Sequence, residues 1–354
     1  MKTISEYSST PLSKNELPSI FALSQAELNE FLIKHNFSQF IGPIIFQSLY
    51  KNKKDQELSP LITKKLNEEF DFYLPEINKI SKSDDGTVKF LLSLKDGKLV
   101  ETVLIPFHKK YTICLSSQVG CAMNCSFCYT GKMGLKRHLK TEEIIGQYLV
   151  AFNYLKQISG FTPATPNIVF MGQGEPLHNP QEVKKSILIF TEQKGLAIGP
   201  RQITLSTAGY LPGIKYLHDF PQINIALSLH SAINEKRNEL IPINQHFPIE
   251  DIIHEIDKLP LKKRQFITYE YLLIKDFNDR DEDALKLAQL LSSKKAIINL
   301  IAFNPFPGSH YKRPETGDVL DFKQKLISFK LRTMIRTTKG SEVLAACGQL
   351  NTRE

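Results

Sequence analysis

"YTICLSSQVGCAMNCSFC", residues 111–128, begins as a short β-rich run and passes straight into a loop carrying Cys121, Cys125 and Cys128. The same pattern, an apolar strand followed by chemically unusual residues, then recurs along the chain. Strands are expected at 167–172, 201–207, 223–230, 265–274 and 296–304, with 332–338 adding a further one. Between them lie apolar residues at helical spacing, as in 141–157, 281–293 and 319–330. Strands alternating with helices imply a parallel sheet with right-handed crossovers. Six β/α units are two short of a closed eight-fold barrel, so the expected fold class is α/β, an open partial (β/α)6 barrel.

The unusual residues follow the strands rather than precede them. The cysteine loop follows the first strand, "GQGEP" (172–176) the second and "STAG" (206–209) the third. "SLH" (228–230) ends the fourth, and "NPFPG" (304–308) leaves the sixth. In β/α barrels the catalytic rim is the C-terminal end of the strands, so these motifs should converge on one face.

Upstream the rhythm differs. "LSQAELNEFLIKHN" (23–36) has helical periodicity and a Ser24/Glu27 capping box, and further helical stretches follow at 37–52 and 59–72. Two β-rich runs in 86–106, split by Lys95-Asp96-Gly97, read as a hairpin. The division expected is an N-terminal helical accessory domain (1–82), a β-hairpin linker (83–110), the barrel (111–340) and a C-terminal segment (341–354).

Of 354 residues 42% are hydrophobic, enough for a sizeable core. No apolar run approaches the roughly 18 residues of a membrane span. The first residues, "MKTISEYSSTPLSKNELPS", lack the apolar centre of a secretory signal. A cytoplasmic protein without a membrane partner is expected. Five cysteines, an odd number with three crowded together, do not form a secreted disulfide framework; they suit metal or redox chemistry. The net charge of +8 is compatible with a polyanionic partner. A Cys-x3-Cys-x2-Cys loop suits a 4Fe–4S cube in which three thiolates hold three irons and the fourth iron stays open. The competing reading is a zinc site completed by His138 or Cys114.

These motifs resemble a known family. "CLSSQVGCAMNCSFCYTGKMGLKRHLKTEEIIGQ", "FMGQGEPLHN", "ITLSTAG", "ALSLHSAINEKRNELIPIN", "NPFPG" and "AACGQL" are similar, in order, to the RlmN/Cfr family of radical S-adenosylmethionine (SAM) RNA adenosine methyltransferases. The resemblance spans about residues 83–350 and is loose before that. It implies that Cys121, Cys125 and Cys128 bind a 4Fe–4S cluster. It implies SAM contacts from Gly174, Glu175, Ser206, Ser228, Leu229, His230 and Asn304. Cys347 would carry the methyl group, Cys114 would be its resolving partner, and Glu101 the base that takes a proton from the substrate. The implied partners are an RNA substrate (23S rRNA and tRNA) and an electron donor such as flavodoxin or ferredoxin, acting on a monomer.

The chemistry requires such residues. A ring carbon of adenine flanked by nitrogens is too electron-poor to attack the SAM methyl directly. A thiolate can take the methyl instead. A second SAM, cleaved by the reduced cluster, then yields a radical that removes hydrogen from the S-methyl group, whose carbon adds to the ring. Release needs a base for the ring proton and a second thiol to attack sulfur, leaving a disulfide. All five cysteines are thereby used. The family also implies alternative targets, carbon 8 of adenosine or another RNA, while a non-catalytic zinc-stabilised RNA-binding protein is the contrasting expectation. Basic clusters at 131–140, 258–265 and 309–314 are expected to meet phosphates. Tyr129, where the family has a small residue, and Gln173, where methionine is frequent, depart from the pattern, as does an N-terminal domain without tryptophan.

Overall fold

The computed structural model describes residues 17–51, 58–108, 110–159 and 164–352. Residues 1–16 and 52–57 of the expected accessory domain, and 353–354, lie outside the described residues.

Three helices open the chain: α1 (Gln25–Lys34), α2 (Gly42–Lys51) and α3 (Pro60–Glu69). The Ser24/Glu27 box forms at α1, with each side chain bonding the other's backbone N–H, which satisfies two donors that a helix start leaves unpaired. Leu28, Leu32, Phe46, Ile62 and Leu66 join the same apolar core as the strands downstream, so these helices pack onto the barrel.

One ten-stranded sheet carries the fold. β1 (Glu76–Lys82), β2 (Val88–Ser93) and β3 (Leu99–Phe107) run antiparallel to one another, and β3 pairs antiparallel with β4 (Lys110–Cys114), Val103 facing Cys114. The hairpin is β2–β3; β1, which the alternation of its residues does not announce, extends it as an exposed edge. In β2 Val88, Phe90 and Leu92 point inward, the period-two pattern of a half-covered sheet. The cysteine loop is pinned by a small ribbon of β5 (Gln118–Val119) and β6 (Arg137–His138).

The rest is parallel. After α4 (Thr141–Ser159) come β7 (Asn167–Phe170), α5 (Pro180–Thr191), β8 (Ile203–Thr207), the single turn α6 (Leu211–Ile214) and β9 (Asn224–Ser228). Then follow α7 (Asn234–Leu240), α8 (Ile249–Asp257), β10 (Ile267–Leu273), α9 (Asp281–Leu291), β11 (Ala296–Ala302), α10 (Thr316–Ser328) and β12 (Thr333–Ile335). From β4 onward the sheet order is β4-β7-β8-β9-β10-β11-β12, and every neighbouring pair is parallel. The open partial barrel forms, and 332–338 does supply its last strand. Among the described residues no helix is long and apolar enough to cross a membrane.

Candidate functional site

A cavity of about 150 Å³ lies at the C-terminal ends of the parallel strands. Cys121, Cys125 and Cys128 form part of its wall. Gly174 and Glu175 after β7, Ser206 on β8, and Ser228 and His230 at the end of β9 form another part. Cys347 reaches the same cavity from the far end of the chain.

The three cysteines of the loop share a buried, apolar setting on one side of the cavity. Burial pushes the Cys121 thiol up to about 12 and raises Cys125 well above its ordinary value, with neighbouring cysteine sulfurs adding to the effect. Such thiols stay protonated unless a cation replaces the proton. The Met123 N–H points at Cys121 Sγ, 3.5 Å away, and backbone N–H groups near Thr130 and Gly131 bond Cys128, the donor pattern that steadies cluster sulfurs. The side chains that could complete a zinc site are engaged elsewhere. His138 Nδ1 pairs with Gln118 Nε2 at 2.9 Å, and Cys114 is buried against Val103, Ala345 and Leu350. Three cysteines therefore face the cavity, as a cube with one open iron needs.

Glu175 is buried, and desolvation lifts its carboxyl to about 7. The backbone N–H of Leu177 donates to Oε1 at 3.0 Å and that of Ala208 to Oε2 at 2.7 Å. Its own N–H donates to Gln118 Oε1. A carboxylate held this way on the cavity wall has the chemistry to pair with a cationic group. Gly174 makes the approach possible: its φ is +100°, and a Cβ there would lie 2.6 Å from Gln118 Cβ. Gly174→Ala should cost about 1–3 kcal/mol from backbone strain and weaken SAM binding. Thermal melting and equilibrium binding of SAM will check both effects.

His230 is buried with φ of 59°, a conformation held by Asn278 Nδ2 donating to its carbonyl at 2.7 Å. Its Nδ1 accepts the Leu272 N–H at 3.1 Å, which leaves the proton on Nε2. Burial, with Arg237 nearby, lowers its pKa to about 3, so it meets a ligand as a neutral donor.

Other expected site residues lie off the wall. The Leu229 side chain is fully buried in the main core, and its backbone N–H and carbonyl are bonded to the Glu270 carbonyl and to Ser231 and Arg237. Asn304 donates from Nδ2 to the Cys347 carbonyl at 3.2 Å, and its Oδ1 accepts from Arg313 and Thr338. Asn304 thus holds the segment that carries Cys347. Glu101 is buried on β3, 2.8 Å from Lys89 Nζ, and its Oε2 accepts the Asn351 N–H at 2.7 Å. Burial raises its carboxyl above the usual range while Lys89 pulls it back. Cys114, at the end of β4, sits beside the C-terminal segment, and burial pushes its thiol up to about 12.

The two departures have structural roles. Tyr129 stacks on Phe306, ring centroids 5.1 Å apart, and its N–H donates to the Gly348 carbonyl at 2.7 Å, tying the cluster loop to the Cys347 segment. Gln173 Oε1 accepts the Glu101 N–H at 3.1 Å, linking the loop after β7 to the strand of the expected base.

The site also contains residues that the motifs did not reveal. Glu270, mid-strand on β10 opposite Ser228, and Arg336, just past β12, both line the cavity. Arg336 is held above its ordinary value chiefly by its electrostatic interaction with Cys347, against burial. Its place after a strand was a usable signal; Glu270 offered none. In the basic clusters, Arg137 is spent on Glu143 and Asp96, and Arg313 on Asn304 and Phe303. Lys132, Lys136, Lys140, Lys262, Lys263 and Arg264 remain exposed.

Comparison with known proteins agrees with this geometry. The Radical SAM superfamily model matches residues 115–288. A probable dual-specificity RNA methyltransferase RlmN of Akkermansia muciniphila is 38% identical over 96% of each chain. The dual-specificity RNA methyltransferase RlmN of Nitratiruptor sp. is 40% identical over 86% of this chain and 91% of its own. The crystal structure of a radical SAM methyltransferase from Sphaerobacter thermophilus superposes with a TM-score of 0.87 at 33% identity, covering 94% of this chain and 98% of that one.

Proposed function

The chain belongs to the RlmN family of radical SAM RNA methyltransferases, and from that premise we propose that it methylates carbon 2 of an adenosine in 23S rRNA, with tRNA as a second target. It is a SAM-dependent RNA methyltransferase whose cofactors are a 4Fe–4S cluster and SAM. The finer reading is a relay: the methyl group passes first to Cys347 and then to the base, at the expense of two SAM per turnover.

When bound, the cluster and SAM supply one electron and a carbon radical able to take hydrogen from a methyl group. Everything else falls to the chain. Cys121, Cys125 and Cys128 would hold the cluster. Glu175, fixed by the Leu177 and Ala208 N–H groups, would hold the SAM amino group with its carboxylate, and Ser206, Ser228 and neutral His230 would supply hydroxyls and an N–H to its polar atoms. Cys347 takes the methyl on Sγ. Glu101 removes the ring proton once the base is bonded through that carbon, and the unpaired electron left on the ring adduct departs with it, for which the bound cluster would be the acceptor. Cys114 then attacks the Cys347 sulfur; the S–C bond breaks toward carbon, which picks up a proton, and a disulfide remains for external reduction. Adenine must leave its stack to enter the enclosed cavity, so the substrate site is single-stranded or deformable. The reading places the protein in the cytoplasm as a monomer served by a flavodoxin- or ferredoxin-type donor.

One observation carries the proposal: the three loop cysteines and Cys347 meet on one cavity whose wall also holds Glu175, Ser206, Ser228 and His230. Mapping methylated nucleosides in RNA from cells with and without the protein tests it. We expect 2-methyladenosine in 23S rRNA and tRNA to depend on the protein. An 8-methyl product, or loss from a different RNA only, would overturn the target while leaving the chemistry. Anaerobically purified protein should be brown and contain iron and sulfide.

A further inference from the structure

Arg237, on α7, is fully buried behind the cavity wall rather than on it. The motif "ALSLHSAINEKRNELIPIN" contains it without giving it a task. Its guanidinium reaches four acceptors on three loops. Nε donates to the Leu229 carbonyl at 3.1 Å, and Nη2 donates to the carbonyls of Ala208 at 2.8 Å and Ser228 at 3.1 Å. Nη1 donates to Asn244 Oδ1, which is itself steadied because Asn244 Nδ2 bonds Asn234 and Asn238. Among the described residues none of the ion pairs involves Arg237. A buried cation without a carboxylate partner is tolerated only where its donors are satisfied. Here neutral backbone carbonyls satisfy them.

Those carbonyls are the informative part. Ala208 and Ser228 belong to the ends of β8 and β9, which the ladder places side by side with Ser206 opposite Ala226. Ala208 is bonded on both sides of its Cα: its carbonyl accepts from Arg237 and its N–H donates to Glu175 Oε2. One planar cation thus sets the spacing of two strand ends and, through one residue, the place of the carboxylate. Lysine cannot reproduce this, because a tetrahedral ammonium does not fan donors across one plane.

We propose that Arg237 is a positioning residue for SAM, locking the ends of β8 and β9 so that Ser206, Ser228 and Glu175 present one preformed arrangement to the cofactor. The inference rests on the reading of this cavity as the SAM site. It is tested on enzyme carrying its cluster, with SAM as the probe, by measuring equilibrium Kd, the change in the reduced cluster's electron paramagnetic resonance spectrum on adding SAM, and KM for SAM and for RNA separately. Arg237→Lys should raise the Kd and KM for SAM about 10–100-fold, as loss of an outer supporting contact typically does, and leave iron content and KM for RNA unchanged. A merely structural role would lower the melting temperature and the active fraction but move neither Kd nor the KM ratio. That outcome overturns the proposal. Should Arg237→Lys fail to fold, Asn244→Ala, which removes one acceptor, decides: a weakened SAM Kd with RNA KM intact supports the role, and an unchanged Kd refutes it. Glu175→Gln is measured alongside. If it leaves SAM binding unchanged, the site reading itself fails; if it weakens binding and the Arg237 and Asn244 variants do not, only the present inference fails.

Discussion

Cys347→Ala is expected to abolish methyl transfer to RNA while leaving the cluster and SAM binding in place. Cys347 lines the cavity, yet its segment is held by groups other than the thiol. Asn304 bonds its carbonyl, Tyr129 N–H bonds Gly348, and Gln349 Nε2 donates to the Pro305 carbonyl at 2.7 Å. Thr130 Oγ1 adds a bond to the Leu350 carbonyl at 2.6 Å. Deleting one sulfur atom therefore removes the proposed acceptor of the methyl group without releasing the segment. No serine or histidine on the wall can replace it, since neither forms a methyl compound whose hydrogen can be taken and whose bond can later be cut by a thiol. Mass spectrometry of the purified wild-type protein should find one methyl group on Cys347, and none elsewhere in that peptide. Methylated product from the alanine variant at more than a trace would rule out the relay.

Cys114→Ala should have the opposite signature, a covalent RNA–protein adduct that accumulates. The thiol sits beside Ala345 and Leu350 of the Cys347 segment; Cys347 adds to the effect of burial on it and Arg336 opposes it. Raised to about 12 by burial, it is protonated at neutral pH and inert in this closed arrangement. In the proposed relay its attack follows once the base is attached and the thiol has given up its proton. Without it, the first transfer and the addition to the ring proceed, but the S–C bond has nothing to cut it. Denaturing gels of the variant incubated with RNA, SAM and reductant should show a slow band that nuclease removes. Free, normally methylated RNA from this variant would exclude Cys114 as the resolving thiol. In the proposed relay Glu101 acts in the same release step, and its bonds to Lys89 and the Asn351 N–H tie its strand to the C-terminal segment.

Much of this was written in short-range patterns. Apolar runs with helices between them locate the parallel strands, because side-chain period is a local consequence of backbone geometry. Ser24 and Glu27 mark the start of α1 because capping acts within one turn. Cysteines four and three apart can share one cluster whatever the rest of the chain does. That the motifs after successive strands share a rim follows from the handedness of β/α crossovers.

What the strands' register and the closure of the chain decide could not be read that way. β1 becomes part of the sheet because β2 offers it an unpaired edge, not because its own residues alternate. Leu229 turns into the core while its neighbours Ser228 and His230 face the cavity, a choice made by the pleat and by the positive φ at His230. Glu270 and Arg336 join the wall, and Arg237 braces it, through contacts between residues far apart in the chain. Cys347 reaches the cavity only because Asn304, Tyr129 and Glu101 hold its segment there. Spacing and periodicity act over a few residues and so belong to the sequence. Which side chain faces the ligand, and which distant segment completes the wall, depends on hydrogen bonds and burial that exist only once the sheet has closed around them.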